Sequence, residues 1–513
     1  MQWFTAFCSR IQQRVLFLPE LFLGIVSCFW FISDIPKPEA FDNRGQKIAI
    51  FLLYLLCCVL VKLLLYFRVL REKGTGQLSW AYTSFFLAMI ELGCFFDLYI
   101  VGYSEHRSLP EIIEYVLYWY IPLGFVLAVC GILSLRSKGL RIPFLKHLQM
   151  KQQRKKRRAG LHAEEPSPLR LKLMQRLDRL HVLLCRKPVL VLLMIGYLVI
   201  GSAIFFALRG VSSSDLAALN FRSRLCEGSK LIMFALLYLF AAARASRRAD
   251  QTGISERAWA VMSFLTCILT AGMYLLAGEF GSAIIIVLFA VLMVIYFFSE
   301  RWGFVLAEMG VLSYITGYLA DRTFRQTGYP ALIVNGIGMD RWNRLYHLDA
   351  FPQVLEMRTV IRKSELLRGL VPYTVSMTGK SYTRVEDFSY LNLVTVFGRL
   401  AAFAVTAYYI ILLLRVFFRL NDTLRRRQTQ FSERRTALFL LAQFMCLYIV
   451  THALVHVISN LTFLFFTGVP MPFISKGLSN LAVVMVCSVV ILFCLNWEEN
   501  HANKRKKPAR SAR

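Results

Sequence analysis

The chain has 513 residues and a formal net charge of +29, from 60 Lys+Arg against 31 Asp+Glu. Residues of the AVILMFWYC class make up 57% and charged residues only 18%, below the about 25% of soluble chains. A chain both greasy and basic fits a polytopic membrane protein with positive loops, and it excludes a soluble enzyme, a disordered chain, a collagen and a disulfide scaffold.

A membrane span needs ~20 apolar residues. Twelve such runs lie near 15–33, 47–69, 81–102, 113–135, 188–208, 228–244, 258–277, 281–298, 303–320, 391–418, 437–459 and 477–496. Arg10 and Arg14 precede the first, but no small-residue cleavage site follows it. That run is expected to be retained as a span. The seventh and eighth runs are separated only by Gly278-Glu279-Phe280. The spacing predicts a tight hairpin or one broken pair.

The loops orient the spans. Segment 136–187 has 16 Lys/Arg against 3 acids. The 419–436 loop and the C-terminal tail carry six Lys/Arg each. The loops at 34–46 and 103–112 carry three together. This asymmetry predicts both termini inside. Charge runs beside spans bind anionic lipid headgroups, so anionic membrane lipids are an expected partner and nucleic acid is not. Residues 169–184 read as an amphipathic helix on the inner leaflet, with Leu171, Leu173, Met174, Leu177 and Leu180 on one side. One outer segment, 321–390, is about 70 residues long and of mixed charge, with ten Lys/Arg and seven Asp/Glu. A loop of that length is usually functional.

The expected fold is therefore all-α, a polytopic integral membrane protein of about 12 helices, N-in and C-in. Its parts are four N-terminal helices (1–135), a basic cytoplasmic linker (136–187) and core helices (188–320). A large extracytoplasmic loop (321–390), C-terminal core helices (391–497) and a basic tail (498–513) follow. Of the 12 cysteines, most fall in apolar stretches, and no CxxC pair or Cys/His ligand spacing occurs. Free packed thiols and no metal-binding residues are the expectation.

Ionisable groups inside a membrane are functional candidates. Glu227 and Lys230, at i and i+3, share a helix face at the start of the sixth span. An interfacial, self-neutralising ion pair has the same spacing. Glu279 stands at the hairpin tip, where a solvated turn residue would also stand. His452 and His456, at i and i+4, share a face of the eleventh span, as interhelical hydrogen-bonding groups also would. Lys476 lies in Thr467-Gly-Val-Pro-Met-Pro472-Phe-Ile-Ser475-Lys476-Gly-Leu-Ser-Asn480. Broken backbone at membrane depth is tolerated only where protein or water lines it, which favours a re-entrant, site-forming segment over a simple loop. In the outer loop, Asp349 follows Arg341 and Arg344. An acid near two arginines suits chemistry with a pyrophosphate leaving group, since arginine clamps phosphate oxygens bidentately. Exposed loops also contain such mixtures routinely.

The Thr467–Asn480 run resembles the signature of the SEDS family of shape, elongation, division and sporulation proteins (RodA, FtsW, SpoVE), which reads TG-x-P-x-PFIS-x-G-x-S. Further landmarks follow in order. The family's QPSE-x-x-K is similar to Arg224-Leu-Cys-Glu227-Gly-Ser-Lys230, and its QPDLGTA to Ala277-Gly-Glu279-Phe-Gly281-Ser-Ala283. Its HTDF is similar to Val385-Glu-Asp387-Phe388, and its Q-x-x-x-N pair lands on His452 and His456. The resemblance covers roughly 188–497. It implies a ten-helix core, so two N-terminal helices are additional. It also implies a peptidoglycan glycosyltransferase that polymerises lipid II at the outer face of the cytoplasmic membrane, in cell shape, division or sporulation.

By the resemblance, the family's essential Asp has its nearest counterpart in Asp349. That residue would activate the acceptor hydroxyl directly or through a divalent cation (Mg or Mn). Arg341, Arg344, Lys230 and Lys476 would stabilise the pyrophosphate, and Glu227, Glu279, Asp387, His452, His456, Pro472 and Ser475 would line the substrate site. A class B penicillin-binding protein is the implied protein partner. The chain departs from the pattern in the outer loop, where the Gly-x-Gly-Tyr partner of the Asp is absent. A non-catalytic homologue, acting as a scaffold or regulator of a cell-wall synthase, is the first alternative. A transporter or polymerase of another lipid-linked glycan is the second.

Overall fold

The computed structural model describes residues 179–209, 216–250, 254–331, 333–334, 339–367, 389–427, 431–462, 464–474 and 478–506, with Arg176 and scattered positions between 78 and 93. The first four predicted spans otherwise lie outside the described residues, as does most of the basic linker. Among the described residues there is no strand, and eight helices are long and apolar enough to cross a membrane. The protein is an all-α membrane protein.

The spanning helices are α1 (Lys187–Arg209), α2 (Leu216–Asp250), α3 (Glu256–Ala277), α4 (Phe280–Met293) and α5 (Glu300–Thr327). Three short helices follow: α6 (Met339–Tyr346), α7 (Pro352–Lys363) and α8 (Ser389–Phe397). The chain then returns through α9 (Arg399–Arg427), α10 (Glu433–Asn460) and α11 (Leu478–Lys506). Helix α10 is the hub, with 89% of its apolar stretch buried against 6% for α5. It packs against α2, α4, α9 and α11. Helices α3 and α4 stand beside it as an antiparallel pair.

Local chemistry sets the boundaries. The Ser255 Oγ accepts from the Ala258 N–H at 3.1 Å and starts α3, satisfying one of the free amides of a helix N-terminus. Gly278, at φ 84°, ends it, a left-handed conformation that glycine adopts without penalty. The Glu279 N–H then donates to the Tyr274 carbonyl at 2.8 Å. This is the hairpin that the three-residue spacing predicts. Between α4 and α5 the chain makes a π-helical turn over Val294–Phe298. A Cβ on Gly303 would come within 2.7 Å of the Ile295 backbone, so α5 can fold back closely only with glycine there.

Helix α2 begins at Leu216, three turns before Glu227 and Lys230, which stand at the start of its apolar stretch Leu225–Ser246 as expected. One expectation is corrected. The run 391–418 is not one helix. Gly398 adopts φ 87° and divides it into α8 and α9. The first amides of α9 then find carbonyls outside their own helix, Arg399 N to Glu365 O at 3.2 Å and Leu400 N to Leu366 O at 2.9 Å. An apolar run hides such a break, because hydropathy does not change across it.

Candidate functional site

Segment 461–474 leaves α10 and folds back over one end of the bundle as non-helical, mostly buried backbone. Such backbone needs internal partners, and α10 supplies them. The Thr467 N–H donates to the Ser459 Oγ at 2.8 Å, and that hydroxyl donates to the Thr467 carbonyl at 2.8 Å. His456 Nδ1 lies 2.6 Å from the Val469 carbonyl. A carbonyl only accepts, so Nδ1 carries the proton. His456 Nε2 then accepts from the Tyr390 N–H at 3.2 Å, which fixes the neutral tautomer. The Asn460 Oδ1 accepts from the Leu391 N–H at 3.3 Å. His456 and Asn460 thus cap the N-terminus of α8 from α10. His456 is a structural hydrogen-bonding group here.

The α3–α4 hairpin meets the same segment. A Cβ on Gly281 would sit 3.2 Å from the Thr467 Cβ and would also collide with Val469. Gly281→Val is expected to destabilise the protein by about 1–3 kcal/mol through overpacking, read as a lowered midpoint of thermal unfolding in detergent. An unchanged midpoint would mean that the hairpin does not bear on this segment. Glu279 is partly buried beside it and does not cap α4 with its side chain. Pro472 is buried in the segment. Thr462 and Phe473 hold positive φ, 55° and 69°, a conformation that costs a non-glycine residue of order 1–3 kcal/mol and clusters at functional sites.

Beneath this cover, Lys230 forms an ion pair with Glu227 inside the bundle, at 0% and 8% exposure. Its ammonium faces Tyr448 of α10, 6.0 Å from the ring centroid. Tyr448 in turn meets His452 edge-on at 5.7 Å between centroids. Glu227 Oε2, the Tyr448 hydroxyl and both ring nitrogens of His452 make no hydrogen bond of normal geometry. The two histidines, equivalent by spacing, therefore differ: His456 bonds through both nitrogens, whereas His452 has only a looser approach to the Pro470 carbonyl. Below the pair, Tyr274 donates to the Cys226 carbonyl at 2.8 Å and bonds the Ser229 hydroxyl at 2.7 Å, tying α3 to α2 at the level of Glu227.

Of the predicted outer-loop site residues, the side chains of Asp349 and Arg344 are described. Asp349 lies on the turn Leu348–Ala350 between α6 and α7. Its side chain is 77% exposed and pairs with Arg358, not with an upstream arginine. The Arg344 guanidinium lies over Phe351 and Phe466, 5.8 and 5.7 Å from their centroids. Arg341 is in α6, with its side chain outside the described residues; Asp387, Ser475 and Lys476 lie outside them altogether. Among the described residues no three His, Cys, Asp or Glu side chains group closely enough to hold a metal ion. The carboxylate of Asp349, paired with the Arg358 guanidinium, does not make a cation cage.

The acid that organises this end is Asp321, at the end of α5 and 1% exposed. Its carboxylate accepts from Trp342 Nε1 at 2.7 Å, Arg325 Nε at 3.0 Å and the Tyr329 hydroxyl at 3.1 Å, and His347 Nε2 lies 3.0 Å away. These groups lock α6 to α5. Tyr346 packs where Gly317 has no side chain. The Tyr314 hydroxyl donates to the Leu464 carbonyl at 2.7 Å, and the Phe466 N–H to the Arg344 carbonyl at 2.9 Å, which ties segment 461–474 to the loop helices. Sequence reasoning passed over Asp321; the available signal was an acid closing an apolar helix with Arg325 one turn on. No family model and no curated protein sequence matches the chain.

Proposed function

We propose that the protein is a SEDS-type glycosyltransferase that polymerises lipid II, an undecaprenyl-pyrophosphate-linked disaccharide, at the outer face of the cytoplasmic membrane. The observation that carries this is the Thr467-Gly-Val-Pro-Met-Pro-Phe segment. It resembles the family signature, and it forms a buried, non-helical cover at the end of the bundle where the loop helices gather. Irregular backbone at that depth is retained where it lines a site. Under this reading that end faces outward, the prenyl chain lies against the helices, and the glycan lies among α6, α7 and segment 461–474.

In the reaction the acceptor hydroxyl oxygen attacks the anomeric carbon and the bond from that carbon to the pyrophosphate oxygen breaks. The hydroxyl proton passes to a carboxylate. Asp349 is the assigned acceptor, with Arg358 beside it to meet the charge on the leaving pyrophosphate. Glu227 and Lys230, paired inside the bundle, hold α2 in place beneath the cover.

The test is glycan synthesis from labelled lipid II by the purified protein. Asp349→Ala is expected to lower the rate by about 10²–10⁴-fold. Equal product from wild type and variant would overturn the assignment of the base.

A second reading is a non-catalytic scaffold or regulator of a cell-wall synthase, such as a class B penicillin-binding protein. Its support is the exposure of the Asp349 side chain and the stacking of Arg344 on two phenylalanines. It predicts no glycan from the wild-type protein and full cellular complementation by Asp349→Asn.

A further inference from the structure

Four charged or polar side chains meet between α2 and α10. Helix α2 supplies Glu227 and Lys230, three residues apart, and α10 supplies Tyr448 and His452, four apart. Each pair therefore shares one face of its helix, and the two helices pack against each other. Lys230 and Tyr448 are 0% exposed, His452 1% and Glu227 8%, so the group is closed off from bulk water.

Contacts tie the four into one cluster. Lys230 pairs with Glu227, and its Nζ stands 6.0 Å from the Tyr448 ring centroid. The Tyr448 and His452 rings meet edge-on at 5.7 Å between centroids. Phe234 and Phe289 also pack on Tyr448, at 5.3 and 6.0 Å, and offer its hydroxyl no oxygen or nitrogen.

The open hydrogen-bonding capacity of the cluster has a definite make-up. Glu227 uses Oε1 on Lys230 and keeps Oε2 open, and a carboxylate oxygen only accepts. Lys230 has three N–H donors and uses one on Oε1. The Tyr448 hydroxyl, without a bond of normal geometry, can donate. One His452 nitrogen loosely approaches the Pro470 carbonyl. A carbonyl only accepts, so that nitrogen carries the proton of the neutral ring and the other nitrogen accepts. The cluster thus presents two acceptors, Glu227 Oε2 and a His452 nitrogen, beside donors on Lys230 and Tyr448.

Water, which donates twice and accepts twice, matches that set. A cation offers nothing to the donors of Lys230 and Tyr448, and the ammonium repels it. An anion offers nothing to Glu227 Oε2, which repels it in turn. Buried waters make about three hydrogen bonds each to buried polar groups otherwise unmatched.

We propose that a bound water sits between α2 and α10, donating to Glu227 Oε2 and to His452 and accepting from Tyr448 and Lys230. It joins the ion pair of α2 to the histidine that reaches toward Pro470, and so to the cover formed by segment 461–474. The proposal does not depend on the transferase reading.

The test images the full-length protein in lipid nanodiscs by cryo-electron microscopy, at a resolution that shows ordered water. Density is expected within about 2.7–3.2 Å of Glu227 Oε2, the Tyr448 hydroxyl and a His452 nitrogen. No density there, in a map that shows water elsewhere in the bundle, would overturn the proposal. So would a direct bond between Glu227 and His452, or density at the ~2.1–2.4 Å of a bound metal ion. Magnetic resonance of protein with isotope-labelled histidine gives a second reading. The His452 ring, identified by the signal that His452→Gln removes, is expected to show a cross-peak to a water proton. That cross-peak should vanish in Lys230→Met/Glu227→Leu, which takes away one acceptor and one donor. Its absence from the wild type, or its persistence in the double variant, would show that no such bridge exists.

Discussion

Lys230→Met is expected to destabilise the protein by about 3–5 kcal/mol, because it leaves the Glu227 carboxylate buried without its counter-charge. The pair is closed inside the bundle, so water cannot replace the lost ammonium without opening α2 from α10. The midpoint of thermal unfolding in detergent should fall by on the order of 10 °C. The decisive comparison is the double variant Lys230→Met/Glu227→Leu. Exchanging a whole buried ion pair for apolar side chains is often neutral or stabilising, so the double variant should recover most of the lost stability. If it is no more stable than Lys230→Met, the pair is not coupled as described. If Lys230→Met itself melts with the wild type, the buried placement of the ammonium is wrong.

The recovery also separates stability from function. The open oxygen of Glu227, the Tyr448 hydroxyl and the His452 ring face one another across α2 and α10. A double variant that is stable yet fails to complement would assign this polar core a role beyond holding helices together. A stable double variant with full function would make it an architectural device.

The legible parts of the sequence were those with local cause. The hairpin at 278–280 was readable because only Gly278-Glu279-Phe280 separates two apolar runs there. The Glu227–Lys230 pair was readable because i and i+3 always share a helix face. The break at Gly398 was not, because an apolar run continues through it and only the backbone angle marks it. The distinction between His452 and His456 was not either, since it arises from Val469 and Tyr390, distant in sequence. In the outer loop the sequence sets Asp349 near Arg341 and Arg344, whereas its ion pair is with Arg358 of α7, a partner that the turn Leu348–Ala350 brings to it. Asp321 is indistinguishable from a helix-end solvated acid until Trp342 and His347 fold back on it.

Asp321→Ala is expected to be the most damaging change in the loop region. It removes one acceptor from beneath four donors, those of Arg325, Tyr329, Trp342 and His347. Hydrogen bonds to a charged group contribute about 1.5–3 kcal/mol where both partners are buried, which here is the bond from Trp342; the exposed Arg325 can turn to water. Trp342 is buried and its Nε1 loses its acceptor, so α6 should loosen from α5. Because α6 also holds segment 461–474 through the Arg344 carbonyl, the loosening should reach that segment. The measurement is limited trypsin digestion of membranes: cleavage at Arg341 and Arg344 should accelerate at least tenfold, which corresponds to about 1.4 kcal/mol of local opening. Asp321→Asn, which keeps one acceptor oxygen but no charge, should fall between wild type and alanine. If both variants digest at the wild-type rate, the carboxylate does not lock the loop helices to the bundle. If asparagine digests as fast as alanine, the charge and not the geometry of the acceptor holds α6 in place.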